Sequence, residues 1–137
     1  MTAKPDLDTR SGIDRLMIAF YAKATTDDVI GKFFTDVVPF DLRHHLPIIG
    51  DFWESVLLGT QAYRTHNRSP LRLHAELDAL EPLQPEHFDR WLELFRETVD
   101  ELFVGPRADF AKLRSGMIAR RMLEIIADSR LVAAALR

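Results

Sequence analysis

The sequence predicts an all-α protein. Apolar residues recur at intervals of three and four along most of the chain, which is the spacing that places them on one face of a helix. No four residues alternate apolar and polar side chains as convincingly as a half-buried strand would. At 137 residues the chain has the length of one domain. We therefore expect a single helical domain over residues 1–137, with six helices.

The composition excludes several classes of function. Hydrophobic residues make up 47% of the chain and charged residues 28%, as in an average folded protein. The formal net charge is −3, so no global positive field attracts nucleic acid. The longest uncharged apolar run near the start, Leu16 to Tyr21, is too short for a membrane span or a signal-peptide core. We expect a cytoplasmic protein with neither nucleic-acid nor membrane partners.

The cysteine count restricts how the chain can hold a metal. There are no Cys and five His, which removes disulfides, thiol nucleophiles, iron–sulfur clusters and thiolate-ligated haem together. Metal or redox chemistry must therefore come through histidine, carboxylates or a bound cofactor.

The N-terminal part is predicted to contain a loose arm, a helix and a short helical turn. Residues 1–10 show no periodicity and should form the arm. Ser11 followed three residues later by Asp14 resembles a capping box, so the first helix should begin at Ser11. Its apolar stripe has five members: Ile13, Leu16, Met17, Phe20 and Tyr21. The pair Asp27-Asp28 is a candidate cap for the short turn, Val29 to Phe34.

A longer helix is predicted from about Asp41 to Leu58, with Gly59 as its C′ residue. Pro47 lacks an N–H and disfavours the α conformation of the residue before it, so the first turn, with His44 and His45, should be irregular or separate. Counted from His45, four apolar residues follow on one face: Ile49, Phe52, Trp53 and Val56. Counted from His44, the face holds Ile48, Phe52 and Ser55. Spacing therefore favours His45 only slightly.

Three further helices are predicted in the second half. Ser69 is a cap and Pro70 occupies the first helical position of a short helix that runs to Ala79. Pro85 opens the most strongly periodic helix, which Gly105 and Pro106 end. Its apolar stripe has seven members: Phe88, Trp91, Leu92, Phe95, Val99, Leu102 and Phe103. A final helix runs from Pro106 to about Ala135, and its apolar residues include Ile118 and Met122.

His74 is the first candidate for chemistry, because it lies beside Leu73 and Leu77 on the short helix. A histidine on a helix is most simply a surface residue satisfied by solvent. An imidazole facing an apolar cavity is also suited to be the axial ligand of haem iron, which needs only one or two protein ligands. Spacing alone does not decide between these two interpretations.

The second candidate group consists of Tyr21, Trp91 and either His44 or His45, each on an otherwise apolar helix face. Taken singly, Trp91 is most simply a large core residue, and Tyr21 is explained by a hydrogen bond to a carbonyl. Directing three hydrogen-bonding aromatic side chains into one interior is costly unless something there accepts their bonds. Together they indicate a polar ligand in an apolar pocket. No phosphate-binding loop, zinc-protease, nucleophile-elbow, calcium-loop or di-iron motif accompanies them.

The order of these pieces resembles the group III truncated haemoglobins of bacteria. The resemblance rests on Phe20-Tyr21, on Gly31 to Phe34, on the run HLPIIGDFWESVLLGT from His45 to Thr60, on His74, and on EHFDRWLELF from Glu86 to Phe95. It covers nearly the whole chain. It implies a two-over-two helical sandwich enclosing haem b.

The resemblance also implies roles for individual residues. The iron ligand falls on His74, and the residues around the opposite coordination site fall on Tyr21, His45 and Trp91, with His44 as a second candidate for the histidine. The other residues expected to contact haem are apolar: Phe34, Ile49, Phe52, Trp53, Leu73, Leu77, Ile118 and Met122. Three arginines are candidate partners of the haem propionates: Arg64, Arg68 and Arg72.

The implied function is binding of O₂, NO, CO or peroxide at the iron. One hydrogen bond to a charged acceptor contributes about 1.5–3 kcal/mol, so two donors would slow O₂ release and favour ligand chemistry over O₂ transport. One alternative is a peroxidase-like enzyme or an NO dioxygenase in which His45 acts as acid and base. The chain has no flavin or nicotinamide domain, so such an enzyme needs a separate reductase. The other alternative is a haem-free helical interaction module in which the aromatic residues are only core.

Overall fold

The computed structural model describes residues 3–37, 41–62, 78 and 82–136. Five helical elements occupy these ranges: α1 (Arg10–Ala24), a π-helical turn (Phe33–Val37), α2 (Leu42–Leu58), α3 (Pro85–Leu102) and α4 (Pro106–Ala135). No strand occurs in the described ranges, which confirms the all-α class. No helix among them is both long and apolar enough to cross a membrane.

Most of the predicted short helix from Pro70 to Ala79 lies outside the described residues; within it the structure describes Asp78, which is helical. The other four helices and the short turn are found close to where they were predicted. Gly59 ends α2 with a φ of 69°, as expected of a C′ glycine. Asp27 caps the short turn, since its carboxylate accepts bonds from the N–H groups of Val29 at 3.0 Å and Ile30 at 3.2 Å.

The predicted start of α1 at Ser11 is wrong by one residue. The N-cap is Thr9, whose hydroxyl accepts a bond from the N–H of Gly12 at 3.0 Å. Asp14, the expected partner of a capping box, instead accepts a bond from the guanidinium of Arg10 at 2.9 Å. The threonine two residues earlier was the better cap, because its side chain reaches the N3 position.

The predicted loose arm is also wrong for residues 5–7. Leu7 is fully buried, and the carbonyl of Pro5 accepts a bond from the N–H of Val104 at 2.9 Å. The Asp6 carboxylate accepts bonds from the N–H groups of Arg107 at 3.1 Å and Ala108 at 2.8 Å. These are the second and third residues of α4, so Asp6 caps that helix from the far end of the chain.

Gly105 explains why α4 needs a cap from elsewhere. It is the N-cap residue of α4, with a φ of 139°, and it has no side chain to bond the first N–H groups of the helix. A Cβ at this position would lie 2.6 Å from the Cγ of Asp6. The absence of a side chain therefore leaves the space that the Asp6 carboxylate occupies.

The first turn of α2 is continuous with the rest of the helix, contrary to the expectation based on Pro47. Asp41 is the N-cap, and its carboxylate accepts a bond from the N–H of Arg43 at 3.1 Å. The N–H of His45 bonds the Asp41 carbonyl at 3.0 Å. Pro47 removes only one later bond of the ladder, and the cap compensates at the start of the helix.

The helices pack as two pairs, α1 with α2 and α3 with α4, and the pairs meet where α1 contacts α3 and α2 contacts α4. This agrees with the predicted two-over-two arrangement. The core lies between the pairs. Its largest fully buried aromatic side chains are Phe20 of α1 and Phe95 of α3.

α1 and α2 are joined by an ionic cluster around Arg10. The guanidinium contacts Asp51 at 2.6 Å and Glu54 at 3.5 Å, in addition to Asp14. It passes directly over Gly50, where a Cβ would lie 2.5 Å from Nη2 of Arg10. Gly50 therefore allows Arg10 to reach α2 and fixes how closely the two helices approach.

Gly50→Ala is expected to lower the free energy of unfolding by about 1–2 kcal/mol, because the new methyl group displaces the Arg10 guanidinium from its carboxylates. Urea unfolding measures the change. In an Arg10→Ala background the same substitution should instead be neutral or stabilising by about 0.5–1 kcal/mol, the usual gain of alanine over glycine inside a helix.

Gly116→Ala in α4 is the matched control. Among the described residues, its Cβ would meet only the Nη2 end of Arg96, at 2.8 Å, and the bond of that guanidinium there is a long one, 3.5 Å to the Lys112 carbonyl. The control should not destabilise the protein. Equal losses in the two glycine variants would contradict the role given to Arg10.

Candidate functional site

A layer of aromatic rings forms where α1 meets α3. The ring of Phe20 makes edge contacts with Tyr21, Trp91 and Phe95, at centroid distances of 4.9, 5.9 and 5.7 Å. The ring of Phe34 contacts Tyr21 at 5.8 Å. Two of the residues selected from the sequence, Tyr21 and Trp91, therefore contact one buried ring, and a third, Phe34 from the turn after α1, contacts Tyr21.

The layer continues into α2 through Phe95. The indole of Trp53 stacks on Phe95 at 5.0 Å, and the indole of Trp91 stacks on it at 5.3 Å. Phe52 makes an edge contact with Trp53 at 5.5 Å. Sequence reasoning did not select Phe20 or Phe95 for the site. Both lie on predicted apolar stripes. Because phenylalanine has no polar side-chain atom, its presence on a stripe does not distinguish the wall of a pocket from ordinary core.

α2 contributes a row of side chains at the edge of the core. His45, Ile49, Phe52 and Val56 follow at helical spacing and are all half-buried, whereas Trp53 on the neighbouring face is buried. The apolar members of the row pack against the core cluster. His44 is exposed, and its ring lies 5.2 Å from that of His45. Of the two adjacent histidines, His45 is therefore the one on the face with the apolar row.

The two titratable side chains of the candidate site, Tyr21 and His45, stay uncharged at neutral pH. Burial raises the pKa of the Tyr21 phenol well above its ordinary value near 10. Burial also lowers the pKa of His45, as does the neighbouring His44, while Asp41 opposes the shift. Tyr21 therefore remains an O–H donor, and His45 presents one donor and one acceptor nitrogen.

The remaining predicted contact residues divide into two groups. On α4, Met122 is buried and Ile118 is half-buried against the core cluster. The others lie outside the described residues, so their roles stay predictions: Leu73, His74, Leu77, Arg64, Arg68 and Arg72. Within the described ranges no three His, Asp or Glu side chains cluster as metal ligands.

An ion pair joins Asp78, four residues after His74 in the sequence, to α4. Asp78 is 9% exposed, whereas the side chain of its partner Arg130 is 45% exposed. Its carboxylate accepts bonds from Arg130 of α4 at 2.5 and 3.1 Å and from the N–H of Leu83 at 2.7 Å. The same guanidinium bonds the Leu83 carbonyl at 3.0 Å. Sequence reasoning missed this pair, because the two residues are far apart and neither belongs to a local motif.

Asp78→Asn is expected to lower the free energy of unfolding at neutral pH by about 1–3 kcal/mol. Desolvation alone would raise the pKa of Asp78, but the bonds from Arg130 and Leu83 outweigh it and lower the pKa below the ordinary value of 3.8. A depressed folded-state pKa stabilises the fold above the unfolded-state value, and the contribution is lost as the pH falls through the folded-state pKa.

Urea unfolding across the acid range tests this assignment. The difference between wild type and Asp78→Asn should be full at neutral pH and should shrink below the unfolded-state pKa. Asp28→Asn, at an exposed carboxylate, should change little at any pH. A difference for Asp78→Asn that is independent of pH would contradict the ionic role.

Two comparisons with known proteins gave a match. The chain is 31% identical over 113 residues to the group 3 truncated hemoglobin ctb of Campylobacter jejuni, covering 80% of this chain and 84% of that protein. The crystal structure of a group III truncated hemoglobin from Campylobacter jejuni superposes with a TM-score of 0.76 and 29% sequence identity, covering 90% of this chain and 95% of that one. No family model matches the chain.

Proposed function

The chain belongs to the group III truncated haemoglobins, and from this membership we propose that it binds haem b and holds O₂, NO, CO or peroxide in a polar pocket. The observation that carries the proposal is the gathering of Tyr21 and Trp91 around Phe20. These side chains bring two hydrogen-bond donors from different helices to one apolar layer. A diatomic ligand held beside them would be able to accept hydrogen bonds from both donors.

The described residues fit a flat and mostly apolar group. Ile49, Phe52 and Phe34 offer apolar surface at the edge of the core, and His45 lies in the same row on α2 without charge at neutral pH. His74 is proposed as the protein ligand of the iron. When bound, haem supplies an iron atom that takes up diatomic molecules as ligands.

The side chains of this chain would then control the ligand. The Tyr21 hydroxyl donates a hydrogen bond and keeps its proton over the whole physiological pH range, because burial raises its pKa. The Trp91 indole is a donor only. The stacked rings of Phe95 and Trp53 lie behind these donors and exclude water. Two such donors retain a ligand that acquires negative charge, which favours ligand chemistry over O₂ transport.

A second candidate function is peroxidase-like or NO-detoxifying catalysis. The observation in its favour is the lowered pKa of His45, which leaves an imidazole able to take up a proton at neutral pH. Electrons would come from a separate reductase. Turnover of peroxide or NO with an added reductant that is lost in His45→Ala, while haem binding is retained, would support it. Equal turnover in the variant would exclude this role of His45.

Absorption spectra of the purified protein in its oxidised, reduced and CO-bound forms test the main proposal. We expect haem bands typical of histidine ligation and a shift on adding CO. A protein that stays colourless after haem addition would overturn the proposal and favour the haem-free interaction module.

A further inference from the structure

One carboxylate attaches the turn after α1, residues 27–34, to the start of α3. Nε and Nη2 of Arg90 lie 2.9 and 2.8 Å from Oδ1 of Asp27. The other oxygen, Oδ2, accepts the bonds from the N–H groups of Val29 and Ile30. The Asp27 side chain is 7% exposed. A single, largely buried carboxylate therefore closes the turn with one oxygen and binds α3 with the other.

The charge of Asp27 is what Arg90 recognises. The bond from the guanidinium is the largest cause that lowers the pKa of Asp27, and the N–H groups of Ile30 and Val29 lower it further, although burial opposes the shift. The carboxylate is therefore ionised at neutral pH, and a hydrogen bond between two charged groups is stronger than one between neutral groups.

A second contact docks the other end of the turn on the same face of α3. The ring of Phe33 lies 4.9 Å from that of His87. His87 is itself fixed, because its Nδ1 accepts a bond from the N–H of Gln84 at 2.8 Å. Residues three apart on a helix are neighbours, so His87 and Arg90 form one docking surface on the first two turns of α3.

The backbone connects Asp27 to Phe34 through two consecutive hydrogen bonds. The N–H of Gly31 bonds the Asp27 carbonyl at 2.9 Å, and the N–H of Phe34 bonds the Gly31 carbonyl at 3.0 Å. A Cβ on Gly31 would lie 2.5 Å from the Asp27 carbonyl oxygen, so the turn is as tight as glycine permits. A displacement of Asp27 would therefore be passed on to Phe34.

Phe34 in turn contacts the tyrosine of the candidate site. Its ring meets that of Tyr21 edge-on at 5.8 Å, and Phe20, which is 1% exposed, contacts Tyr21 at 4.9 Å. Trp91 depends less on the turn, because its indole stacks on Phe95 of its own helix at 5.3 Å. The docking of the turn therefore acts on the donor from α1 more than on the donor from α3.

We propose that Asp27 and Arg90 are positioning residues for the Tyr21 hydroxyl: by docking the turn on α3 they hold Phe34 against Tyr21 and so direct the hydroxyl toward a bound diatomic ligand. The inference rests on the proposed function. Neither charged residue contacts the ligand in this arrangement. Hydrogen bonds weaken steeply with angle and distance, so loss of the ion pair weakens the bond from Tyr21 without removing it.

Ligand dissociation from the haem-bound protein tests the positioning role. Asp27→Asn keeps the size of the side chain and an oxygen for the turn N–H groups, but loses the charge. It should raise the O₂ dissociation rate about three- to tenfold, which corresponds to weakening rather than losing one bond to a charged acceptor. CO dissociation should change far less. Equal changes for O₂ and CO, or no change for O₂, would overturn the inference.

Glu93→Gln is the matched control. Glu93 is the other carboxylate partner of Arg90, at 3.1 Å, and its side chain is 69% exposed. This variant removes one charge beside the same guanidinium and leaves the pair with Asp27 in place. Both dissociation rates should stay at the wild-type values. An effect on O₂ as large as that of Asp27→Asn would show that the turn is not involved.

A double variant separates positioning from general loosening. In a Tyr21→Phe background, Asp27→Asn should raise the O₂ rate less than about twofold, because the donor that it positions is already absent. Arg90→Gln should behave as Asp27→Asn does in both backgrounds. Effects of Tyr21→Phe and Asp27→Asn that multiply in full would overturn the inference.

Amide hydrogen exchange of the protein as purified tests the docking without a ligand. The N–H groups of Gly31 and Phe34 should exchange at least about tenfold faster in Asp27→Asn and Arg90→Gln, and at the wild-type rate in Glu93→Gln. Unchanged exchange in the first two variants would overturn the inference even if the protein binds haem. A protein without haem bands would overturn the proposed function, and with it the role toward a ligand, even if exchange is faster.

Discussion

His74→Ala is expected to abolish stable haem binding. The sequence has no cysteine that could replace the imidazole as ligand, and His45 is assigned to the opposite side of the haem. Without a bond from the protein to the iron, the group would be held by apolar contacts alone. On the proposed function, haem binds the folded chain and not the unfolded one, so the variant should also lose the stabilisation that haem gives the wild type.

Two measurements check this prediction. Haem titration followed by gel filtration should leave the wild type coloured and His74→Ala largely free of haem. Thermal unfolding in the presence of haem should give the variant nearly the midpoint of the apoprotein. His44→Ala is the control, because the His44 side chain is exposed. This variant should retain haem. An unchanged five-coordinate ferrous spectrum in His74→Ala would contradict the ligand assignment.

Free imidazole distinguishes a lost ligand from a damaged fold. In His74→Gly the small side chain leaves room where the imidazole stood, so millimolar imidazole should restore the ferrous spectrum of the wild type. A variant that failed only because it misfolded would not respond.

The helices were predictable because the relevant information is local. Apolar residues at spacings of three and four, together with Gly59 after α2 and Pro106 between α3 and α4, determine these three helices to within a residue or two. The errors concern contacts between distant parts of the chain. Asp6 caps α4, and Arg10 crosses over Gly50. Neither contact could be predicted from a local sequence pattern, because the residues are far apart in the chain.

The site was predictable where a polar atom interrupted an apolar face. Tyr21 and Trp91 were selected for that reason, and the structure brings them to the same ring, Phe20. Spacing favoured His45 over the adjacent His44 only slightly, because both sit on plausible faces. Exposure separates them, since His44 faces solvent and His45 is half-buried. Phe95 stacks against two indoles and carries no polar atom, so its residue type did not distinguish it from other core residues.

Tyr21→Phe is expected to raise the O₂ dissociation rate of the reduced protein about 10- to 100-fold. The substitution removes one donor to a ligand that draws negative charge, a bond worth about 1.5–3 kcal/mol, and ~1.4 kcal/mol corresponds to a factor of ten. Phenylalanine retains the ring contacts with Phe20 and Phe34, so the fold should be preserved. Stopped-flow replacement of O₂ by CO measures the rate.

CO provides the internal control for this experiment. CO draws little negative charge and accepts only weak hydrogen bonds, so its dissociation rate should change far less in the same variant. Trp91→Phe should show the same contrast between the two ligands, since the indole N–H is the second donor. The rate in wild type should be insensitive to pH up to the ordinary phenol value near 10, because the raised pKa keeps Tyr21 protonated there. Unchanged O₂ dissociation in both variants would show that neither side chain contacts the ligand.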